Sequence, residues 1–395
     1  MKKRIILGIT GSIAAFKALQ LISALVKEDY EIDVLMSEAG SRMVTPASVM
    51  ALTKRRVYID VFDDEPGRIT HVDIVKGADL FMIVPASANT IAKLANGMAD
   101  NMLTSAWLAA TCPKMIAPAM NTHMYQNIVT QRNLKTLEND GVLIVSPDSG
   151  WLACGDTGTG KLADLPAIRL MMDYAMSAHP LQGKKVLVTA GPTQEALDPV
   201  RYLTNHSSGK MGYAIARAAY IMGADVTIVS GPVNLTLPGV NIVPVVSAQD
   251  LFDAVTSRHE GTDIFVLAAA VGDFRPATKA DQKIKKTGDE LTVTFTKNPD
   301  TLAWLGAHKK DGQVLVGFAM ETENTEQNAR GKLEKKNADM IIANNLFTPG
   351  AGFKTDTNVA TMITKDKTEP LEKMTKEALG TIILEKCLEL EDKAC

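Results

Sequence analysis

The stretch Arg4-Ile5-Ile6-Leu7-Gly8-Ile9-Thr10-Gly11-Ser12-Ile13-Ala14-Ala15-Phe16-Lys17 sets the architecture of the chain. Arg4 to Ile9 is a nearly unbroken apolar run, the pattern of a strand buried on both faces. It breaks at Thr10-Gly11-Ser12 and passes into an apolar-periodic helix from Ile13 to Val26. Strand, tight turn and helix open an α/β sheet, in which ligands sit beyond the carboxyl ends of the strands. Ser12 reads as the N-cap of that helix, and the N–H groups behind it suit an anion such as a phosphate. The spacing Gly8-x-x-Gly11-Ser12 is neither the G-x-G-x-x-G of a dinucleotide fold nor a Walker loop. A plain β-to-α turn is the simpler alternative.

The same device recurs twice downstream. Glu31 to Met36 is a strand that ends at Ser37-Glu38-Ala39, and Asp79 to Val84 is a strand that runs into Pro85-Ala86-Ser87-Ala88-Asn89-Thr90. Each hydroxyl alone is a helix cap. Three successive strand ends with Ser12, Ser37, and Ser87 plus Asn89 and Thr90 suit a flat, polar-rimmed cofactor carrying one phosphate. Met115 to Ala117 then leads into Pro118-Ala119-Met120-Asn121-Thr122-His123-Met124-Tyr125. Pro118 and Asn121 at a strand end indicate a rigid loop. The Asn121 amide both donates and accepts, which suits a carboxylate or a flavin edge, or else a simple turn. His71, just before a helix-like run, is either a capping or core histidine or a base that titrates near neutrality. The run from Ser146 to Lys161 is dense in glycine and small polar residues, so it reads as a mobile loop, with Cys154 on it as an incidental thiol or a reactive group.

Composition sets the frame for these sites. A chain of 395 residues exceeds one ordinary α/β domain. The break falls at Ser177-Ala178-His179-Pro180-Leu181-Gln182-Gly183, giving domains over 1–180 and 181–395. A net charge of -3 gives no electrostatic reason to expect nucleic acid. No apolar run reaches the roughly 18 residues of a membrane span. The basic start Met1-Lys2-Lys3-Arg4 is followed too soon by Gly8, Thr10 and Gly11 for a signal peptide. Cys112, Cys154, Cys387 and Cys395 show neither metal nor disulfide spacing, so reduced thiols and a cytoplasmic setting are expected, and no metal ligand can be named.

The second half restarts with a strand at Lys184 to Thr189, followed by Ala190-Gly191-Pro192-Thr193. Asp198-Pro199-Val200-Arg201-Tyr202-Leu203 leads to Thr204-Asn205-His206-Ser207-Ser208-Gly209-Lys210-Met211-Gly212, ahead of a helix from Tyr213 to Met222. Ser207 to Lys210 is compatible with an anion site or a plain helix cap. Asp263 to Ala269 is a buried strand that ends in Ala270-Val271-Gly272-Asp273. The basic cluster Lys283-Ile284-Lys285-Lys286 is a solvated face, or a clamp for a triphosphate if it follows the sheet's carboxyl end. Lys297-Asn298-Pro299-Asp300 opens a helix, Val314 to Gly317 is a strand into Phe318, and Lys332 and Lys336 are four apart on one helical face.

Taken together, the motifs carry two family resemblances. Gly11 to Lys17, His71, Pro118-Ala-Met-Asn121-x-x-Met-Tyr125 and Ala153-Cys154-Gly155-Asp156 resemble the flavin-dependent cysteine decarboxylases, and more narrowly the phosphopantothenoylcysteine decarboxylases. The resemblance implies a flavodoxin-like FMN-binding domain with Gly11, Ser12, Ser37, Ser87, Asn89 and Thr90 at the cofactor. It implies that Asn121 holds the substrate carboxylate, that His71 assists oxidation of the cysteine moiety, and that Cys154 on a lid returns a proton. Tyr125 stands where many members have Trp, which keeps an aromatic face.

Ala190 to Thr193, Asn205 to Gly212, Lys283 to Lys286, Lys297 to Asp300 and Gly317-Phe318-Ala319-x-Glu321-Thr322 resemble the phosphopantothenate–cysteine ligases. That resemblance implies a Rossmann-like α/β ligase domain using CTP and Mg²⁺, with an acyl-cytidylate that cysteine's amine then resolves. Asn205 would stabilise the acyl-cytidylate and Lys283 would bind the nucleotide phosphates. The strand end Leu267, Ala268 and Ala269, with Asp273, would meet the nucleotide. So would Pro299, Asp300, Thr301 and Leu302, and Phe318, Lys332 and Lys336. Gly272 departs from a common Ala and would loosen the loop before Asp273.

The substrates implied are 4'-phosphopantothenate, cysteine and CTP. The assembly implied is a homo-oligomer of trimeric decarboxylase halves, with His71 and Asn121 from different chains, and dimeric ligase halves, together a dodecamer. A nicotinamide dehydrogenase with two Rossmann halves would need G-x-G-x-x-G followed by an acidic residue, and neither half has it. A non-enzymatic regulatory subunit would lack His71, Asn121 or Cys154, and all three are present.

Overall fold

In β1 (Arg4–Ile9) the side chains of Ile5, Leu7 and Ile9 point to one face and Ile6 to the other, and all four are fully buried. A strand buried on both faces needs a helical layer on each side, and the first unit supplies both. The computed structural model describes residues 2–62, 69–152, 155–285, 290–321, 325–345, 352 and 355–394, and divides into two compact units, Met1–Ser177 and Ala178–Cys395.

In the first unit β1 is joined by β2 (Glu31–Met36), β3 (Val57–Tyr58), β4 (Leu80–Ala86), β5 (Lys114–Pro118) and β6 (Leu143–Ile144). The order across the sheet is β3-β2-β1-β4-β5-β6, with every pairing parallel. This is the doubly wound class, in the 3-2-1-4-5-6 order whose direction reverses between β1 and β4. The helices are α1 (Ala15–Lys27), α2 (Glu38–Met43), α3 (Pro46–Thr53), α4 (Thr70–Asp73), α5 (Ala88–Ala95), α6 (Met102–Ala109), α7 (Thr122–Gln126), α8 (Ile128–Asn139) and α9 (Leu165–Ala175). Leu21, Ile22 and Leu25 of α1 pack on one face of the sheet with Ile5 and Leu7. Trp107 of α6 packs on the other with Ile6, Phe81 and Ile83, its ring edge-on to Phe81 at 5.1 Å.

Two expectations change here. The first helix has Ala14, not Ser12, at its N-cap position, because Ser12 is spent in the preceding turn, where its carbonyl accepts from Ala15 N at 2.9 Å. The glycine-rich run after Ser146 is no loose loop. It forms an antiparallel hairpin of β7 (Asp148–Trp151) and β8 (Thr157–Lys161), tied to the neighbouring loop by Met120 N donating to Gly160 O at 2.9 Å.

The second unit repeats the plan. Its strands are β9 (Lys185–Ala190), β10 (Gln194–Ala196), β11 (Tyr202–Thr204), β12 (Asp225–Ser230), β13 (Asn241–Pro244), β14 (Ile264–Leu267), β15 (Phe274–Pro276) and β16 (Phe295–Lys297). They continue with β17 (Val314–Glu321), β18 (Met340–Asn345), β19 (Thr357–Asn358), β20 (Ala360–Thr364), β21 (Thr368–Pro370) and β22 (Met374–Thr375). The main sheet runs β13-β12-β9-β14-β17-β18-β20-β21, parallel up to β18 and antiparallel beyond it. Its six parallel strands thus take the same 3-2-1-4-5-6 order as the first unit, a Rossmann-like sheet with two antiparallel strands added at the edge. Its helices are α10 (Lys210–Ile221), α11 (Ala248–Thr256), α12 (Thr301–His308), α13 (Thr325–Lys335) and α14 (Lys376–Ala394). No helix among the described residues is long and apolar enough to cross a membrane.

Candidate functional site

At the carboxyl ends of β1 and β4, where the strand order reverses, lies a cavity of about 1100 Å³. Thr10 joins the two strand ends: its hydroxyl donates to Pro85 O at 2.7 Å and accepts from Ser87 N at 2.9 Å. The cavity brings together Gly11, Ser12, Ser37, Ser87, Asn89, Thr90 and Asn121, all seven named from the sequence. Ser37 accepts from Gly40 N at 3.0 Å and Ser87 from Thr90 N at 3.3 Å, so both cap helices while they line the cavity. Gly11 fits because a Cβ there would stand 2.5 Å from Ala39 Cβ. Asn121 is the N-cap of α7, with Oδ1 accepting from His123 N at 2.8 Å and Nδ2 donating to Asp156 Oδ2 at 3.4 Å.

Reading the sequence left out the apolar rim. Ile13, Phe16, Met124 and Trp151 line this cavity, and each is at least half exposed, Trp151 at 71%. The available signal was Phe16, a large aromatic off the buried stripe of α1. Lys93 also lines the cavity, but it is ion-paired with Asp100, whose carboxyl it holds below the usual range. His71 does not line the cavity of its own chain. It sits on α4, its Nδ1 buried and without a hydrogen-bond partner among the described residues. Cys154 lies outside the described residues.

In the second unit a cavity of about 350 Å³ opens at the start of α10. Gly209 precedes this helix with φ of 78°, a left-handed conformation that glycine adopts at little cost. Ser207, Ser208 and the first residues of this twelve-residue helix line the cavity together, an arrangement that favours an anion. Asn205, Ala268, Ala269, Asp273, Phe318 and Lys332 line the same cavity, as named from the sequence. Asn205 Nδ2 donates to Ala270 O at 3.1 Å, and Lys332 Nζ to Phe318 O at 2.7 Å.

Other expected residues stand apart from this cavity. Lys336 is paired with Asp300, which caps α12 through Ala303 N at 2.8 Å. Leu302 is buried in the apolar core behind α12, Thr301 is buried too, and neither they nor Leu267 and Pro299 line the cavity. Lys283 is exposed and does not line it either. The residues that were missed are Asn344, Asn358 and Lys376: Asn358 Nδ2 donates to Asn344 Oδ1 at 3.3 Å, and both amides are buried at the cavity wall. Their signal was two asparagines placed at the ends of buried strands. Among the described residues no group of three His, Cys, Asp or Glu could hold a metal ion.

Comparison with known proteins gives the following. Residues 1–200 match the family model described as Flavoprotein, and residues 181–390 that of the DNA/pantothenate metabolism flavoprotein C-terminal domain. The chain is 44% identical to the coenzyme A biosynthesis bifunctional protein CoaBC of Vibrio vulnificus, over 97% of this chain and 96% of that one. It is 45% identical to the protein of the same name from Bacillus subtilis, over 92% of this chain and 91% of that one. A crystal structure of the C-terminal domain of a CoaBC protein superposes with a TM-score of 0.47 at 42% identity, covering 54% of this chain and 100% of that one.

Proposed function

The chain belongs to the family of coenzyme A biosynthesis bifunctional proteins, and on that premise we propose that it makes 4'-phosphopantetheine in two steps. In residues 181–395, CTP activates the carboxylate of 4'-phosphopantothenate as an acyl-cytidylate with release of pyrophosphate, and cysteine's amine displaces CMP. In residues 1–180, the phosphopantothenoylcysteine so formed is oxidised at its cysteine end with FMN, loses CO₂ and is reduced to the free thiol. The observation that carries the reading is one chain holding two cavities, each at the carboxyl ends of parallel strands, one with three hydroxyl-bearing strand ends and the other with an anion-type helix start.

FMN fits the first cavity. Its volume of about 1100 Å³ accommodates an isoalloxazine ring, and Gly11 keeps the β1–α1 turn clear of a side chain where the phosphate would be held with Ser12, Ser37 and Ser87. When bound, FMN would accept two electrons from the cysteine moiety and give the same two back after CO₂ has left, so that no external reductant is needed. Asn121 offers its amide to the carboxylate that is lost, and Phe16 and Trp151 keep water from the reacting end. His71 acts from a second chain, a reading that agrees with its absence from the cavity lining of its own chain. Cys154 provides the returning proton.

In the second unit Ser207, Ser208, Lys210 and Lys332 hold the nucleotide phosphates, and Asn205 steadies the activated carboxylate. Mg²⁺ arrives with CTP and is held mainly by the phosphates, with Asp273 as the protein carboxylate in the cavity. The trimeric and dimeric contacts, and a cytoplasmic setting, belong to the same proposal.

The test is to record the visible spectrum of the purified chain, then supply CTP, 4'-phosphopantothenate, cysteine and Mg²⁺ and follow pyrophosphate and CO₂. A yellow protein that releases both is expected. A colourless protein, or one that releases pyrophosphate with no need for CTP, overturns the reading.

A further inference from the structure

Lys376 is the first residue of α14 and only 6% exposed. Both features are costly: a cation at a helix N-terminus opposes the helix dipole, and burial disfavours an ammonium. Its contacts show where it is used. Nζ donates to Gly352 O at 3.0 Å and to Thr355 O at 2.6 Å, while its main-chain N donates to Asp356 O at 2.9 Å. Asp356 in turn accepts from Lys210 Nζ at 2.7 Å. Lys210 is the first residue of α10, and it lines the nucleotide cavity together with Lys376. The same two lysines line an adjoining cavity of about 370 Å³, so they form the wall between the two.

We infer that Lys376 is a positioning residue for the polyphosphate end of the nucleotide. It fixes Asp356, and Asp356 fixes the direction in which Lys210 reaches at the start of α10. The inference rests on the ligase reading of this unit and deepens it. Lys210 and Lys376 line the cavity beside the N-terminus of α10, a setting that a polyphosphate complements better than a neutral ligand. Two perturbed groups agree with this arrangement. Burial first, and Lys210 next, push the Lys376 ammonium down, and the Lys210 hydrogen bond holds the Asp356 carboxyl below its usual range.

The experiment uses the full chain as wild type, K376M, K376R and D356N. CTP binding is measured by calorimetry with Mg²⁺, and KM and kcat are taken from pyrophosphate release. Thermal unfolding and decarboxylation of supplied phosphopantothenoylcysteine serve as controls of the fold. K376M keeps the main-chain bond to Asp356 O but loses the Nζ bonds to Gly352 O and Thr355 O that hold the Asp356 segment, so Lys210 loses its fixed direction. Kd and KM for CTP are expected to rise about tenfold, with KM for cysteine and kcat far less affected. K376R, which keeps the charge and the donors, restores most of the affinity.

D356N gives the sharper result, because its side chain is 88% exposed and the fold is not at risk. Removing a negative charge beside the site would tighten CTP binding by simple electrostatics; loss of the Lys210 anchor weakens it, and weakening is expected. Folded K376M that binds CTP as wild type does, or D356N that binds more tightly, overturns the inference. If K376M fails to fold, D356N alone decides. Wild type that binds no CTP sinks the ligase reading instead.

Discussion

Arg201 grips Asp198 with Nε at 3.0 Å and Nη2 at 2.6 Å, and the same pair holds the main chain of Ile284 from both sides. Ile284 N donates to Asp198 Oδ2 at 3.1 Å, and Ile284 O accepts from Arg201 Nη2 at 2.9 Å. Lys283, the residue before it, is exposed, so this pair is what gives its segment a defined place. D198N therefore acts on Lys283 through the main chain. With Lys283 expected at the nucleotide phosphates from the ligase resemblance, ligation slows about tenfold or more, the scale on which misplaced groups lose rate, while decarboxylation is unchanged. Equal ligation rates for D198N and wild type would remove the anchoring role.

The same carboxylate sets a pH dependence. Arg201 first, then the main-chain N–H groups, hold the Asp198 carboxyl far below the usual range. A depressed carboxyl contributes its stability fully above its unfolded value, about 3.9, and loses it only as pH falls toward the folded value. The stability gap between wild type and D198N is thus constant from neutral pH to about 4 and closes below that. Urea unfolding of both proteins across that range measures it, and a gap that closes already between neutral pH and about 5 contradicts the assignment.

Gly11 is a packing requirement of the cavity proposed for the flavin. A Cβ there stands 2.5 Å from Ala39 Cβ at the start of α2, so G11A must push the Ser37–Ala39 turn outward. Overpacking of this kind costs about 1–3 kcal/mol. The Ser37 hydroxyl moves with that turn. We expect G11A to fold and to lose most of its flavin absorbance while its CTP-dependent pyrophosphate release persists. Full flavin content in G11A would show that the turn lies away from the cofactor.

How far the sequence carried depends on the force that holds each part. β1 was readable to the residue because it is apolar on both faces, so burial defines it. β2 matched as well, although Asp33 within it is buried and held by Arg4 and Arg55 rather than by apolar packing. Ser37 and Ser87 were readable as strand-end hydroxyls because a polar residue after such a run has few other uses. The hairpin β7–β8 was not, since its glycines and threonines carry no apolar period and it is held by pairing and by the Met120–Gly160 bond. Lys336, expected on one helical face with Lys332, falls just past the end of α13, and nothing local reveals that Asp300, far along the chain, claims its charge. Lys376 was invisible for the same reason: its partners Gly352 and Thr355 and its neighbour Lys210 meet only in the folded sheet.

Gly272 offers a gain of stability. A Cβ there would meet Glu195 Cγ and Phe274 O at 3.5 Å, which is ordinary contact, and its N–H already donates to the Thr193 hydroxyl at 3.0 Å. The loop is held without need of glycine, so G272A chiefly reduces the freedom of the unfolded chain. A gain of about 0.4–1 kcal/mol is expected for the second unit, with ligation retained. A loss of stability in chemical unfolding would mean that the loop needs a backbone conformation only glycine provides.

Asn121 does two jobs, and one substitution separates them. Its Oδ1 caps α7 through His123 N at 2.8 Å, and its Nδ2, at the wall of the cavity proposed for the flavin, donates to Asp156 Oδ2 at 3.4 Å. N121A removes both functions and costs about 1 kcal/mol through the cap alone, so loss of decarboxylation in that variant is ambiguous. N121D keeps the cap, because a carboxylate accepts from a main-chain N–H at least as well as an amide does. It replaces the donor with a second negative charge beside Asp156, in the place proposed for the substrate carboxylate, and like charges there repel. N121D should therefore melt close to wild type and retain flavin, yet lose at least about a hundredfold in kcat/KM for decarboxylation, some 2.7 kcal/mol of transition-state stabilisation. N121D that is folded, yellow and fully active would mean that the amide serves only the helix.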